Sequence, residues 1–235
     1  MVVPHSAETL RRIVVVSPHL DDGVLSLGAS IASWSRAGAV VELLTVLACD
    51  PDSDAATGGW DRRGGFETEG DSARGRRDED RRACAVVGAR PVWLPFGSVD
   101  FERHGTEEEV RRAVVAAVDG AGALLLPGFP LSHPDHAWLV RELATALGGR
   151  PTALYAEQPY TRREGADPEL PDWVADAFGE RRFERVRSGP RDRLAKWRAI
   201  RCYRSQLPLL GMHRSPRRGP LRSAFAPEWI AWAGD

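Results

Sequence analysis

Cysteine is scarce in this chain of 235 residues: Cys49, Cys84 and Cys202 stand far apart, with no C-x-x-C pair. That excludes a disulfide framework and a thiolate zinc cluster, so any bound metal must take histidine and carboxylate ligands. No apolar run approaches the roughly 18 residues of a membrane span. The opening MVVPHSAETLRR also lacks the apolar core of a secretory leader. The chain is therefore expected in the cytoplasm and off the membrane. Charge of either sign is not in excess. With 32 Lys plus Arg against 33 Asp plus Glu, the formal net charge is -1, which leaves no basic field to attract nucleic acid. A phosphate-cradling loop is missing too: no G-x-G-x-x-G follows the first apolar run, and GVLSLG is not followed by Lys-Ser. A small molecule is the expected partner, and nothing in the chain speaks to its oligomeric state.

What is there is an alternation. β-branched runs (RIVVVS, VVELLTVLA, PVWLPF, ALLLPG, TALYAE) alternate with segments of helical period at residues 24 to 37, 73 to 88, 107 to 118 and 136 to 147. This βαβα rhythm predicts an α/β fold: a Rossmann-like three-layer sandwich in which helices cover both faces of a mostly parallel sheet, all in one domain. Local signals agree. Thr106 and Glu109 fit a capping box with Glu107 and Glu108 in the first turn, and Gly38 and Gly88 sit where helices should stop.

Two stretches break the rhythm. Residues 50 to 72, DPDSDAATGGWDRRGGFETEGD from Asp50 onward, have no hydrophobic period and read as a long mobile loop. Residues 158 to 190 form an insertion rich in proline and charge, before the helical pattern RDRLAKWRAIRCYRSQL. Both are candidate lids over a site.

The chemistry concentrates at two strand ends. IVVVSPHLDDGVLSLG places His19, Asp21 and Asp22 directly after the first strand, and HPDH places His133, Asp135 and His136 after ALLLPG, counted as strand four. Burying such charge without a partner costs several kcal/mol. In the common 3-2-1-4-5 order these strands are neighbours across the switch point, where ligands bind. Either motif alone has a plain reading, since His-Pro-Asp is ordinary turn chemistry and an aspartate can cap the following helix. One aspartate suffices for a cap, and two do not explain His19. Together the clusters supply what catalytic zinc takes, three His and carboxylate ligands with a position open for water. Adjacent aspartates point in different directions, so one can bind metal while the other takes a proton from the water as it attacks a carbonyl. The remaining histidine can stabilise an oxyanion or protonate a leaving amine.

PHLDD together with HPDH resembles the paired motifs of the PIG-L (LmbE-like) family of zinc-dependent N-deacetylases. RRDEDRRACAVVGARPVWL resembles the family's Arg-x-x-Glu helix with its following strand, and KWRAIRCYRSQL its Lys-x-x-Ala…Ser-Gln segment. The likeness spans roughly residues 12 to 207. It implies Zn2+, or another divalent metal, held by His19, Asp22 and His136, with Asp21 as general base. His133 then stabilises the tetrahedral intermediate, with Asp135 orienting it. The implied substrate is an N-acetylated amino sugar or a conjugate of one. The chain has Pro-His-Leu-Asp-Asp-Gly where the family often has Ala-His-Pro-Asp-Asp-Glu, which leaves metal and base positions intact.

By the same resemblance Arg77 reaches a sugar hydroxyl, and Asp100 is a similar candidate. Trp60, in the stretch read as a mobile loop, is a candidate to stack on a sugar ring, whereas Trp93, Trp138 and Trp197 read as core. His5, His104 and His213 lie in polar stretches and read as surface. Two rivals share these residues: an amidase cleaving a larger acyl group or a thiol-conjugate amide, and a catalytically silent sugar- or metal-binding protein. Against the silent protein stands Asp21, since a binding site needs no second carboxylate.

Overall fold

In a computed structural model, which describes residues 11–99, 102–147, 150–161, 167–212 and 225–233, the first apolar run forms β1 (Arg12–Ser17) at the centre of the sheet. The chain then runs through α1 (Asp22–Arg36), β2 (Val40–Thr45), α2 (Gly59–Arg63), α3 (Glu69–Val87) and β3 (Ala89–Trp93). A hairpin of β4 (Ser98–Val99) and β5 (Glu102–Arg103) precedes α4 (Glu107–Ala117), β6 (Ala123–Phe129), α5 (Pro134–Ala146) and β7 (Ala153–Ala156). The last part carries α6 (Asp172–Phe178), β8 (Glu184–Val186), α7 (Pro190–Ile200) and β9 (Glu228–Ala231). The sheet order is β3-β2-β1-β6-β7-β9-β8. The first five strands are parallel, and β9 pairs antiparallel with both β7 and β8. The switch point thus falls between β1 and β6, the strand read as the fourth.

Successive residues of the inner strands face opposite layers, so each strand is apolar on both sides. Ile13 and Val15 pack with α1, α3 and α7, whereas Val14 and Val16 pack with α4, α5 and α6. Helix ends follow local chemistry. Thr106 and Glu109 form the capping box of α4, Thr68 accepts the Asp71 N–H at the start of α3, and Gly88 ends α3 at φ 77. No helix among the described residues is long and apolar enough to cross a membrane.

The segment 50 to 72 departs from the expectation of a featureless loop. It holds α2, a bridge between Ala56 and Thr68, and the first turn of α3, which starts four residues before the predicted Ala73. Polar helix residues such as Glu69 and Asp71 carry no apolar period, which hid that turn from the sequence pattern. The 158 to 190 insertion is likewise part of the sheet, because β8 forms its edge. Neither β8 nor β9 was read from sequence, being short strands of three and four residues.

One ion pair ties these late elements to α1. Lys196, the chain's single lysine, lies on α7 at 0% exposure. Its Nζ donates to Glu228 Oε1 at 2.6 Å and to Ser26 O at 3.2 Å. Glu228, on β9, accepts the Ala29 and Ser30 N–H groups at 2.9 and 2.8 Å. A Cβ at Gly28 would stand 2.9 Å from Lys196 Cγ, so glycine lets α7 approach here. Removing one partner of a buried pair typically costs about 3–5 kcal/mol. Lys196→Met should therefore lower the urea midpoint by that equivalent, and Lys196→Met/Glu228→Leu should recover a large part of it. An unchanged midpoint in the single variant would show that the pair does not anchor β9.

Candidate active site

The turn from β1 into α1 builds the first half of the site. Ser17 Oγ donates to His19 O at 2.6 Å and accepts the Gly23 N–H at 2.9 Å, which closes the loop tightly. Asp21 stands at the N-cap of α1 without capping it, at φ 145, a region that side-chain-bearing residues rarely occupy. The capping alternative therefore fails, and the strained backbone turns the carboxylate into the cavity instead. Asp22 accepts the His19 N–H at 3.0 Å. The second half comes from the start of α5, where Pro134 takes the first turn and His133 is the N-cap. His133 Nδ1 accepts the Asp135 N–H at 3.2 Å, so the neutral ring carries its proton on Nε2.

The two halves meet. Asp22 Oδ2 lies 3.3 Å from His19 Nδ1 and 3.1 Å from His136 Nε2, and those two nitrogens are 3.1 Å apart. Two ring nitrogens and a carboxylate oxygen so close cannot all be paired by shared protons, whereas one cation takes all three lone pairs. Tetrahedral ligands at bonds of about 2.0–2.1 Å stand roughly 3.3–3.4 Å apart, so the trio has the spacing of three zinc ligands. Ring nitrogens of His19, His133 and His136 also lie within 4.8 Å of one another, a three-histidine group that can hold a metal ion. Carboxylates back both inner histidines: Asp135 Oδ2 lies 3.2 Å from His19 Nε2, and Glu157 Oε1 lies 2.5 Å from His136 Nδ1. Metal-bound imidazoles are commonly oriented by such partners.

The electrostatics divide the aspartates. Burial, together with the charge of Asp22, pushes Asp21 up to about 8, against the pull of Arg76. Burial would raise Asp22 as well, but His136 and His19 hold it well below the usual carboxylate range. Asp135 is held low despite burial by its bonds to His19 and Ser98 and by Arg103. Burial lowers His133 to about 4, with His19 and His136 adding to it. A dication among the ligands would add positive charge and bring Asp21 down from its raised value.

His19, Asp21, Asp22, His133 and Asp135 line one cavity of about 300 Å³. Buried His136 completes the cluster behind them. Trp60 stands on its wall at 40% exposure, its Nε1 donating to Gln206 Oε1 at 2.8 Å. Arg77 does not line the cavity. Its guanidinium donates to the Ala48 and Cys49 carbonyls and lies over the Trp93 ring. Arg76 takes the cavity position, paired with Asp61 at 3.2 Å and donating to Leu20 O at 3.3 Å. Consecutive helix residues point about 100° apart, and the Arg-x-x-Glu spacing ending at Glu79 begins at Arg76, a signal the sequence already held. Glu79 braces the wall indirectly, accepting the Ser205 N–H and Oγ–H at 2.9 and 2.7 Å beside Gln206. His104 is exposed as expected, but it sits 3.5 Å from buried Glu69. Asp100, His5 and His213 lie outside the described residues. Glu157 went unread although it follows β7 directly, at the strand end where the rule that found His19 would have placed it.

Solved structures share this architecture. An antimicrobial reagent A40926 pseudoaglycone deacetylase, Dbv21, is 24% identical, with 95% of this chain and 97% of that chain covered and a TM-score of 0.76. A deacetylase triple mutant from the teicoplanin biosynthetic pathway is 25% identical over 94% and 97% of the two chains, with a TM-score of 0.74. GalB, the 4-carboxy-2-hydroxymuconate hydratase of Pseudomonas putida KT2440, is 16% identical over 96% and 97%, with a TM-score of 0.57. The fold thus carries more than one reaction, and the site must decide between them. Among curated proteins none matches in sequence. The family model described as PIG-L: GlcNAc-PI de-N-acetylase matches residues 14–147, more than half of the chain, from within β1 to just past the end of α5, a span that bears both motifs. The chain belongs to the PIG-L family of de-N-acetylases.

Proposed function

We propose that the protein is a zinc-dependent hydrolase that removes an N-acetyl group from an amino sugar or its conjugate. The observation that carries this reading is the trio of Asp22, His19 and His136 beside a second buried carboxylate, Asp21, in one cavity. A silent binding protein does not call for that combination, and the family description favours deacetylation over hydration on it. The amino sugar follows from the family, described as acting on GlcNAc-PI, and a cavity of about 300 Å³ suits a single sugar unit with the rest of a conjugate outside.

His19, Asp22 and His136 hold the ion, which when bound supplies a Lewis acid to activate water and polarise the amide carbonyl. Asp21 takes the proton from the attacking water. His133, neutral with its proton on Nε2, donates a hydrogen bond to the developing oxyanion, the Asp135 N–H on Nδ1 fixing that tautomer, and Asp21 passes the water's proton on to the departing amine. Arg76 and Trp60 stand on the wall where a sugar ring would lie. The apolar surface of Trp60 and Leu210 favours a second reading, an acyl group longer than acetyl on the same site.

Acetate release from a panel of N-acetylhexosamine conjugates, with and without added zinc, tests the reaction. Longer N-acyl analogues in the same panel separate the two readings. A protein without metal, with activity untouched by a chelator, would overturn both.

The ligand set has its own test. Asp22→Ala and His136→Ala should lose metal together with activity, whereas His133→Ala should keep its metal and lose roughly 10²- to 10³-fold in kcat. Metal analysis of the purified variants reads this directly. A His133→Ala protein emptied of metal would instead assign the ion to the three-histidine group.

Asp21→Asn should retain metal and lose about 10²- to 10⁴-fold in kcat, the usual worth of general-base assistance. Steady-state kinetics beside elemental analysis check it. Loss of the ion would exchange the roles of the two aspartates.

A further inference from the structure

The β4–β5 hairpin has no part in the sheet, yet it reaches the metal centre through one carboxylate. Ser98 and Arg103 are cross-strand partners in it, and both contact Asp135. Arg103 Nη2 lies 2.8 Å from Asp135 Oδ1, while Oδ2 of the same carboxylate faces His19 Nε2 at 3.2 Å. The guanidinium also lies over the Trp138 ring at 4.5 Å. Asp135 and Trp138 are three residues apart on α5, on one side of the helix, so Arg103 lies along that side and touches both.

We propose that Arg103 is a positioning residue of the metal centre: stacked on Trp138, it fixes the Asp135 carboxylate so that Asp135 holds the His19 ring in the orientation that presents Nδ1 to the ion. The inference rests on the metal reading given above.

The physical reason lies in the carboxylate torsion. The last χ angle of an aspartate is broad and nearly two-fold, so one contact to His19 leaves the group free to swing. A second contact, the Arg103 ion pair on the opposite oxygen, removes that freedom, and Ser98 stands beside the same carboxylate. An arginine suits the task because its flat face stacks while its charged edge pairs with the carboxylate; a lysine ammonium can do only the second. The chain from Trp138 through Arg103 and Asp135 to His19 therefore runs from a half-buried aromatic to a metal-facing nitrogen with no flexible link.

Zinc affinity tests this directly, without substrate. Competition with a chromophoric chelator gives the dissociation constant for the wild type, Arg103→Leu, Arg103→Lys, Asp135→Asn and the Arg103→Leu/Asp135→Asn pair. Loss of such an orienting contact elsewhere costs about 10- to 100-fold in metal affinity. Arg103→Leu should weaken zinc by that range, and Arg103→Lys should fall between it and the wild type. The double variant should bind no more weakly than Asp135→Asn alone, since Arg103 acts through that carboxylate. Cobalt-loaded Arg103→Leu should show altered visible absorption, which a change confined to stability would not produce. Wild-type affinity in Arg103→Leu, or losses that multiply in the double variant, would overturn the role. If Arg103→Leu does not fold, Arg103→Lys decides: several-fold weaker binding supports the role, and unchanged binding overturns it. A wild-type protein that takes up no zinc would overturn the metal centre and this role with it, whereas zinc uptake without deacetylation would leave this role standing.

Discussion

The structure depends on how buried negative charge is compensated at the carboxyl ends of β1, β6 and β7. Asp21, Asp22, Asp135 and Glu157 are all at most 6% exposed there, with His136 fully buried among them. Four acids in so small a volume are far too costly without partners. The histidines answer part of it, each lying between two carboxylates: His19 between Asp22 and Asp135, His136 between Asp22 and Glu157. That arrangement leaves three lone pairs converging on one point, where a metal ion could be held. Asp21 stands apart from the other three: burial and the charge of Asp22 raise it to about 8 against the pull of Arg76, His19 and His136.

Bringing these groups together is the work of the parallel sheet. β1 and β6 run side by side, and each feeds a helix whose start carries residues of the candidate site: Asp22 begins α1, and His133 caps α5. A helix N-terminus also favours negative charge, so the acids sit where the backbone field helps to hold them. The rest of the fold keeps α1 in place. Lys196 and Glu228 fasten α7 and β9 to the middle of that helix, and Tyr155 of β7 donates its hydroxyl to Val16 O at 2.8 Å, just before the turn that holds His19.

The cavity wall is assembled differently, from segments without periodic pattern. α2 brings Trp60, α3 brings Arg76 and Glu69, and the turn after α7 brings Gln206 and Leu210. Hydrogen bonds rather than packing join them: Glu79 to Ser205, Gln206 to Trp60, Ser53 to Glu69. Polar contacts of this kind depend on exact juxtaposition, and shared folds with different walls can therefore serve different substrates and even different reactions.

The α/β class, the neighbouring of the first and fourth parallel strands, and the two clusters His19–Asp22 and His133–His136 were determined by sequence alone. Each rests on a local regularity: alternation of apolar runs, or adjacency of residues within seven positions of a strand end. PHLDD and HPDH are legible for the same reason, since a turn that puts several ionisable groups together must be built from neighbours in the chain. Tertiary structure alone decided the rest. Glu157 joins His136 from a strand with no motif of its own, Arg103 reaches Asp135 from a two-residue strand, and Arg76 rather than Arg77 faces the cavity because of a 100° step around α3. β8 and β9 enter the sheet by pairing with partners distant in sequence, β9 with β7 and β8 with β9. Such contacts leave no period in the sequence, because what fixes them is the distance between elements after the sheet has formed, not the spacing of residues along the chain.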